Sequence, residues 1–257
     1  MSPTKIVTAL YTFLRKEVVR ILRIWKQTLL PSVITTTLYF LIFGTFIGSK
    51  LPAVGGYSYI QFIVPGLVML AVITNSFQNT ISTFFFAKFQ KNIEEILVSP
   101  LPYWSVVLGY LLGGLFRGLL VGILVLIVAL FFTHLAIHSL LVIVLFMILT
   151  SLLFALAGLL NGLFAKNIDD IAIIPTFVLT PLTYLGGVFY SVHMLPPVWQ
   201  VVSKFNPVLY IVDGYRYGFL GVSDFSIYLS SSILIVTIII FGSATLYFFK
   251  KGYGLKS

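Results

Sequence analysis

The sequence contains no cysteine, and only 9% of its 257 residues are charged. The absence of cysteine excludes disulfides, thiol catalysis and cysteine-ligated metals. The shortage of charge excludes a soluble fold, because soluble domains contain about 25% charged residues. With 59% hydrophobic residues, the composition instead predicts an all-α integral membrane protein with a single transmembrane domain over residues 1–257.

Motifs for catalysis and nucleotide binding are also missing. The sequence has no G-x-x-x-x-G-K-[ST], no H-E-x-x-H and no G-x-S-x-G, so neither a nucleotide site nor a hydrolase site is expected in this chain. Its three histidines do not have the spacing of metal ligands. We therefore expect no metal, no bound cofactor and no enzymatic activity of its own. The net charge of +9 lies mainly at the ends of apolar segments, where lipid headgroups account for it, and nucleic-acid binding is not expected.

Six apolar segments are long enough to span a bilayer, since about 20 helical residues cross its ~30 Å hydrocarbon core. Twelve of the sixteen lysines and arginines lie on the side that holds the N-terminus, and three lie on the other side. This imbalance predicts that both termini are cytoplasmic. The predicted spans are 29–48, 59–87, 105–132, 140–165, 171–190 and 226–249.

Residues 4–27 predict a basic amphipathic helix rather than a span. Its basic side chains, among them Arg15 and Arg20, lie on one side of a helical wheel, opposite Leu10 and Leu14. Such a helix binds along an anionic membrane surface as an interfacial helix. A cytosolic tail that only fixes the topology would have the same charges.

Polar side chains recur at helical spacing within two of the predicted spans. Amides and hydroxyls that faced lipid would lack hydrogen-bond partners, so both stripes are expected to face protein or a wet pathway. They either line a translocation pathway or hold helices together by hydrogen bonds. The candidate pathway residues are Asn75, Gln78, Asn79 and Ser82 in the second span and Thr176, Thr180, Thr183 and Tyr184 in the fifth.

One charge, Arg117, lies near the middle of the third span. A central arginine costs ~2.5–3.5 kcal/mol on insertion scales, so this intramembrane side chain is expected to face the protein interior. No acidic residue occurs in a span at a matching depth. The partner of Arg117 therefore does not follow from the sequence.

The stretch 191–225 is too long for a simple turn and too apolar for a free loop. Two short helices are predicted in it, separated by a cap at Asn206 and by Pro207 as the first helical residue. Neither is long enough to span, so we expect a re-entrant hairpin on the outer side, either an outer gate or an interfacial lid. Asp213 and Arg216, three residues apart, are expected to pair. The candidate gate residues are Asn206, Pro207, Tyr210, Asp213 and Arg216.

A charged stretch, 88–104, separates the second and third spans. Residues 91–98 predict about two turns of helix with Ile93 and Ile96 on one side, and Pro100 ends it. On the predicted topology this helix is cytoplasmic. It is either an ordinary solvated loop or a surface on which a partner outside the membrane acts.

Three stretches give the chain a family resemblance: Asn92-Ile-Glu-Glu-Ile-Leu-Val-Ser-Pro-Leu-Pro102, Leu182-Thr-Tyr-Leu-Gly-Gly-Val-Phe-Tyr190 and Asn206-Pro-Val-Leu-Tyr-Ile-Val-Asp-Gly-Tyr-Arg-Tyr-Gly218. Together with the order of the spans, they resemble ABC-2 type transporter permeases over essentially the whole chain. The resemblance implies a permease subunit of the bacterial inner membrane that exports an amphipathic, lipid-linked, polysaccharide or drug-like cargo.

The resemblance also implies partners. Two copies of the permease form a homodimer, and each pairs with a separate ATP-binding-cassette ATPase that binds the ATP and Mg²⁺. The helix at 91–98 would be the coupling helix seated on that ATPase, and the second and fifth spans would line the route between the two copies. The hairpin would close the outer end. The candidate residues for coupling are Lys91, Glu94, Glu95, Leu97 and Pro100.

Two other classes of membrane protein stay open at this point. An ion-coupled secondary transporter would need no ATPase, but it usually keeps an ionisable group near the bilayer midplane, where only Arg117 lies. A non-transporting scaffold would leave the two polar stripes unexplained.

Overall fold

A computed structural model describes residues 3–255, apart from the side chains of Pro3, Ser49 and Leu97. Regular structure in this part of the chain is helical, and its only β-type contact is an isolated bridge in the loop after the first long helix. The predicted all-α class is confirmed. The apolar sequence thus folds into the element that satisfies its backbone hydrogen bonds within each segment.

Among residues 3–255, five helices are long and apolar enough to cross a membrane, and each overlaps a predicted span. The remaining prediction, 171–190, corresponds only to the shorter apolar helix Asp170–Tyr184. That helix ends early because Gly187 follows with φ +71°, a conformation that residues with side chains rarely adopt. A sixth crossing of the membrane therefore stays a prediction. The five long helices are Trp25–Ile47, Tyr59–Phe89, Tyr103–Ala129, Leu140–Phe164 and Ile227–Lys251.

The N-terminal region is built from consecutive helices. The amphipathic helix predicted at 4–27 corresponds to α1 (Pro3–Arg23), which ends four residues earlier, and its position at a membrane surface stays a prediction. Ile24 leaves the helical conformation, with φ −109° and ψ 32°, and separates α1 from α2 (Trp25–Thr28). The helix α3 (Leu30–Tyr39) follows and continues into a wider π-helical stretch at Phe40–Ile47. The first long helix is therefore interrupted near its start and widened near its end.

The central helix of the fold is α4 (Tyr59–Phe89). Twenty of its 31 residues are buried, and it packs mainly against α6 (Tyr103–Ala129) and α7 (Leu140–Phe164). The close approach requires small residues, since a Cβ at Gly158 of α7 would lie 2.5 Å from the backbone oxygen of Phe77. The glycines of α6 and α7 thus allow these helices to pack closely against their neighbours.

A short helix, α5 (Asn92–Val98), connects α4 to α6. It begins one residue later than predicted, because Lys91 reverses the chain with φ +61°. That left-handed conformation is uncommon for a residue other than glycine. Ile93 is 1% exposed and packs with Phe84 and Tyr110, so α5 is seated against the ends of the two long helices.

The segment between α7 and the hairpin is irregular. It consists of α8 (Asp170–Ile174), a π-helical turn at Pro175–Leu179 and α9 (Thr180–Tyr184). We call residues 170–184 the fifth segment. Proline at 175 and 181 removes two backbone donors from it, which explains why a regular α-helix does not run through.

Two short helices form the predicted hairpin. They are α10 (Pro197–Lys204) and α11 (Pro207–Leu220), and the last helix, α12 (Ile227–Lys251), follows. The side chain of Asn206 accepts a hydrogen bond from the backbone N–H of Val208 at 3.0 Å, so the predicted cap is confirmed. Helix α11 is buried against α4, α7 and α12. Its re-entrant position in a membrane stays a prediction.

Candidate functional site

A polar cavity of about 400 Å³ lies between α3, α4 and the fifth segment. We call it the polar cavity. Its walls contain serine, threonine, tyrosine, asparagine and glutamine side chains and no charged residue. They are Pro31, Ser32, Thr35, Thr36, Tyr39, Leu70, Ala71, Thr74, Asn75, Gln78, Pro175, Thr176, Leu179, Thr180, Thr183 and Tyr184.

Six of the eight predicted pathway residues line this cavity. They are Asn75 and Gln78 on α4 and Thr176, Thr180, Thr183 and Tyr184 on the fifth segment. The two polar stripes, which are about 100 residues apart in sequence, therefore face the same space. The arrangement is consistent with a pathway, and transport through it stays a prediction.

The third wall was missed by the sequence reasoning. Ser32, Thr35, Thr36 and Tyr39 of α3 line the cavity beside the two predicted stripes. Their spacing of i, i+3, i+4 and i+7 is the helical pattern that indicated the other two stripes. The same search applied to the first span would have found them.

Several hydroxyl groups of the cavity donate to the backbone. Thr36 donates to the carbonyl oxygen of Ser32 at 2.8 Å, Thr74 to that of Leu70 at 2.8 Å, and Thr180 to that of Pro175 at 2.9 Å. A hydroxyl that donates in this way still has oxygen lone pairs free to accept. The walls therefore present uncharged hydrogen-bond acceptors to whatever occupies the cavity.

The two amides of the cavity differ. Asn75 is 3% exposed, and its Nδ2 donates to Ser32 Oγ at 2.8 Å and to the Ala71 carbonyl at 2.9 Å. Asn75 therefore ties α4 to α3. Gln78 is half-buried, and among the described residues its side-chain amide has no hydrogen-bond partner. It is the amide that remains available in the cavity.

The other two predicted pathway residues lie outside the cavity lining. Ser82 donates to the backbone oxygen of Gln78. Asn79 is 1% exposed, and its Oδ1 accepts from Arg20 Nη2 at 2.8 Å, while its Nδ2 donates to Glu17 Oε2 at 3.3 Å. For Asn79, the structure thus shows a side chain bonded to α1.

An ion pair between buried Glu17 and half-buried Arg20 completes this contact. Glu17 is 3% exposed, and its Oε2 lies 2.6 Å from Arg20 Nη2 and 3.4 Å from Thr83 Oγ1. We call Glu17, Arg20, Asn79 and Thr83 the α1–α4 cluster. Of the predicted basic surface of α1, Arg20 is therefore turned inward, while Arg15 and Lys16 stay exposed. Because the partners are 59 to 66 residues apart, local spacing could not reveal them.

Arg117 does face the protein interior, as predicted. Its Nη2 donates to the backbone oxygen of Thr28 at 2.9 Å, at the break between α2 and α3. The partner is the carbonyl group of the last residue of α2, and the carbonyls at a helix C-terminus lack partners within the helix. The absence of an acidic partner in the sequence is thus explained, since the arginine binds the backbone.

The short helix α5 exposes the predicted coupling residues. Lys91, Glu94, Glu95 and Pro100 are all exposed, and the side chain of Leu97 lies outside the described part of the chain. Since Ile93 is buried against α4 and α6, the acidic side of α5 faces away from the protein. An exposed acidic pair on a seated helix can bind a basic partner surface.

Just before α5, Lys88 joins the end of α4 to the end of α7. Its Nζ donates to the carbonyl oxygens of Gly162, Leu163 and Ala165 at 3.1, 3.0 and 2.6 Å. These carbonyls belong to the last turn of α7 and the residue after it, where a cation satisfies unpaired acceptors. The sequence indicated only a charge at this position.

In the hairpin, the expected pairing of Asp213 with Arg216 is wrong. The carboxylate of Asp213 accepts from the backbone N–H groups of Asp224 at 2.8 Å and Phe225 at 3.0 Å. Arg216 donates to the backbone oxygens of Phe62 at 3.3 Å and Gly187 at 2.7 Å. Both side chains are buried, so each satisfies unpaired backbone groups rather than its neighbour on the helix.

The remaining gate candidates also hold the hairpin in place. Besides capping α11, Asn206 donates through Nδ2 to the carbonyl of Leu182 at 2.6 Å, which attaches the hairpin to the fifth segment. Pro207 is the first residue of α11. Tyr210 donates to the carbonyl of Lys204 at 2.8 Å. These bonds define a fixed hairpin, and a gating role stays a prediction.

The sequence profile of the ABC-2 type transporter family matches residues 8–220. The inner membrane transport permease YadH of Escherichia coli (strain K12) is 53% identical over 249 residues, which cover 97% of each chain. Nodulation protein J of Rhizobium leguminosarum bv. trifolii is 28% identical over 202 residues, 77% of each chain. Nodulation protein J of Neorhizobium galegae is 27% identical over 229 residues, covering 86% of this chain and 87% of that protein. Since the profile extends from α1 to the end of α11 and the resemblance to YadH covers nearly the whole sequence, this chain belongs to the ABC-2 type transporter family.

Proposed function

We propose that this chain is the membrane permease of an ATP-binding-cassette exporter in the bacterial inner membrane, with both termini in the cytoplasm. The observation that supports the proposal most directly is the polar cavity, which three segments of a protein of this family line mainly with uncharged polar side chains. A pathway for an amphipathic molecule needs such a surface, because charged walls would bind ions rather than uncharged polar groups.

The cavity favours a cargo with neutral hydrogen-bonding groups. Its hydroxyl oxygens accept, and the amide of Gln78 both donates and accepts. Amphipathic, lipid-linked, polysaccharide and drug-like cargoes all have such groups. In a homodimer, the fifth segments of two copies would face each other and enlarge the cavity into a route between them.

The energy would come from a partner. Family membership implies an ABC ATPase, and we propose that it binds ATP and Mg²⁺ and contacts the exposed residues of α5. Closure of two ATPase copies on ATP would displace α5, and through it the ends of α4 and α6 against which Ile93 packs. The ion-coupled alternative has less support, because the polar cavity has no charged lining residue.

The coupling assignment can be tested by removing the acidic pair. In the permease co-expressed with its ATPase, the double substitution Glu94→Ala and Glu95→Ala is expected to lower co-purification of the ATPase about tenfold or more, since two charge-assisted contacts of about 1 kcal/mol each are lost. Both side chains are exposed, so the thermal stability of the isolated permease should not change.

The matched control is Asp169→Ala, which removes an exposed carboxylate from another predicted cytoplasmic loop. It is expected to leave co-purification unchanged. If the double variant retained the ATPase as well as this control does, α5 would not be the coupling surface.

A further inference from the structure

A second cavity, of about 400 Å³, lies on the opposite side of the fifth segment from the polar cavity. It is enclosed by α4, α7, the fifth segment, α11 and α12, and we call it the apolar cavity. Its lining side chains are hydrophobic except for Asn161 and Thr237. The volume falls within the ~300–1,000 Å³ typical of small-molecule sites, and an apolar space of this kind is not filled by water.

The apolar cavity opens on the lipid-facing surface of the helices. Phe164, Ile174 and Val178, which form part of its wall, are 48%, 38% and 48% exposed. On the proposed topology all three residues lie in the membrane, so the opening would face the hydrocarbon core rather than water. Lipid acyl chains are the apolar molecules present there.

One polar group in the apolar cavity lacks a partner. Asn161 is 5% exposed, and its Nδ2 has no hydrogen-bond partner among the described residues. The other polar side chain, Thr237, already donates to the carbonyl of Ile233 at 2.7 Å. A buried donor without an acceptor is costly, so the occupant of the cavity is expected to provide an acceptor such as a carbonyl oxygen.

The position of Asn161 along α7 specifies what kind of carbonyl this is. It lies three residues before the end of the helix at Phe164, which is about 4.5 Å along the axis. On the proposed orientation this end faces the cytoplasm, so the amide lies just inside the hydrocarbon boundary. The ester groups of phospholipids lie at that depth.

A basic pocket adjoins the same end of the helix. Phe164 lines both the apolar cavity and a pocket of about 430 Å³ that contains Lys88, Lys166 and Tyr253. Lys88 is occupied by its three carbonyls, whereas Lys166 is exposed. Along the direction of α7, the apolar space, the donor Asn161 and the cation Lys166 thus follow one another in the order of acyl chain, ester carbonyl and phosphate in a phospholipid.

We propose that the apolar cavity binds one acyl chain of a glycerophospholipid from the cytoplasmic leaflet. The ester carbonyl accepts the hydrogen bond from Asn161 Nδ2, and the phosphate lies toward Lys166. The bound chain fills the space behind the fifth segment and supports it from the side opposite the polar cavity. This site is separate from the proposed route and does not depend on transport.

The experiment uses the full chain in vesicles of phosphatidylethanolamine and phosphatidylglycerol that contain phosphatidylglycerol with a photoreactive diazirine in its acyl chain. After irradiation, mass spectrometry of peptides locates the adducts. Adducts are expected on residues of the apolar cavity, Leu160 and Val178 among them. Labelling spread evenly over the exposed apolar residues of all helices would overturn the proposal.

Two variants sharpen the test. Ala157→Phe places a ring inside the cavity and is expected to lower cavity adducts about tenfold or more. Asn161→Leu keeps the side-chain volume and removes the donor, so it should lower them about two- to tenfold, as expected for the loss of one hydrogen bond. Should the first variant fail to fold, the second still decides the question.

The matched control for the ring is Ala244→Phe, at a partly exposed position of α12 that does not line the cavity. It should label like the natural sequence, and equal labelling of Ala157→Phe and Ala244→Phe would overturn the proposal. A second copy of the chain is the competing occupant. Because the sequence has no cysteine, Val178→Cys tests it directly, and an efficient disulfide-linked dimer with no lipid adducts would also overturn the proposal.

Discussion

The polar cavity has one wall that is fixed and one that is loosely held. On one side is α4, with twenty of its 31 residues buried. On the other is the fifth segment, in which only Leu179 and Thr183 are buried. The two stripes look alike in sequence, yet one belongs to the core and the other to a segment with few packing contacts. Motion that opens or closes the cavity is therefore expected in the fifth segment, since elements with little buried surface open at the lowest cost.

The largest expected effect on stability concerns the fixed wall. Gly158→Ala would place a Cβ 2.5 Å from the backbone oxygen of Phe77, and a backbone atom cannot rotate away. Overpacking of this kind costs about 1–3 kcal/mol. We expect a clear fall in the thermal unfolding temperature of the purified protein.

The matched control is Gly242→Ala on α12, where the nearest atom to a new Cβ would be 3.9 Å away. This variant should be neutral or should stabilise the protein by about 0.4–1 kcal/mol. Equal loss of stability at both positions would show that α4 and α7 are not packed as closely as described.

A smaller loss is expected when the α1–α4 cluster is broken. Glu17→Gln removes the charge that pairs with Arg20 at 2.6 Å and should destabilise the protein by about 1–2 kcal/mol. The measurement is a double-mutant cycle with Asn79→Ala in chemical unfolding. Because the two side chains share a hydrogen bond, we expect a coupling energy of at least about 0.5 kcal/mol; additive effects would mean that α1 does not hold α4 here.

The loosely held wall should tolerate substitution better. Thr180→Trp adds bulk at an exposed position that lines the polar cavity, so stability should change by no more than about 0.5 kcal/mol. ATP hydrolysis coupled to transport should nevertheless fall in the reconstituted complex. The control is Phe177→Trp, on the same segment but outside the cavity lining, which should leave stability and ATP hydrolysis unchanged. Loss of folding with Thr180→Trp would mean that its stripe packs helices.

The smallest effect is expected at the start of the fifth segment. Backbone N–H groups of Lys166 and Asn167 donate to Asp170 Oδ2 at 2.8 and 3.1 Å, and they hold the pKa of this carboxyl below its usual value. The charged carboxylate therefore adds stability above its unfolded-state pKa, near 3.9, and this is lost as the pH falls through the folded pKa.

The stability contributed by the Asp170 carboxylate can be measured by thermal unfolding of the natural chain and of Asp170→Asn over a series of pH values. The natural chain should unfold at a slightly higher temperature near pH 7, and the difference should vanish on acidification. Asp169→Asn, at the neighbouring exposed position, serves as the control and should show no such difference. If the unfolding temperatures of the natural chain and of Asp170→Asn still differed at low pH, this would contradict the stabilising role of the charge.

Much of the fold could be predicted because its determinants are local. Uninterrupted apolar runs predicted the five long helices, and the Asn206-Pro207 pair predicted the start of α11. The fifth segment was predicted too long because hydropathy does not register the left-handed turn at Gly187. For the polar cavity, the helical spacing of polar residues predicted two of the three walls, those on α4 and on the fifth segment.

The partners of charged residues could not be predicted in the same way. Arg117 binds a backbone carbonyl, a group that every residue has and no sequence pattern marks. Asp213 and Arg216 have suitable helical spacing, yet each binds backbone groups of other segments rather than its neighbour on the helix. Glu17 gave no indication of burial because its partner on α4 is 62 residues away.

Lys88 donates three hydrogen bonds to carbonyl oxygens, and these bonds determine which helices would move together if α5 were displaced. The ammonium group belongs to α4, and its acceptors lie at the end of α7. In the proposed mechanism, a shift of this end of α4 would be transmitted to α7, and the two helices would turn together. Neutralising this one amine would then leave the proposed ATPase contact intact while separating the motion of α4 from that of α7.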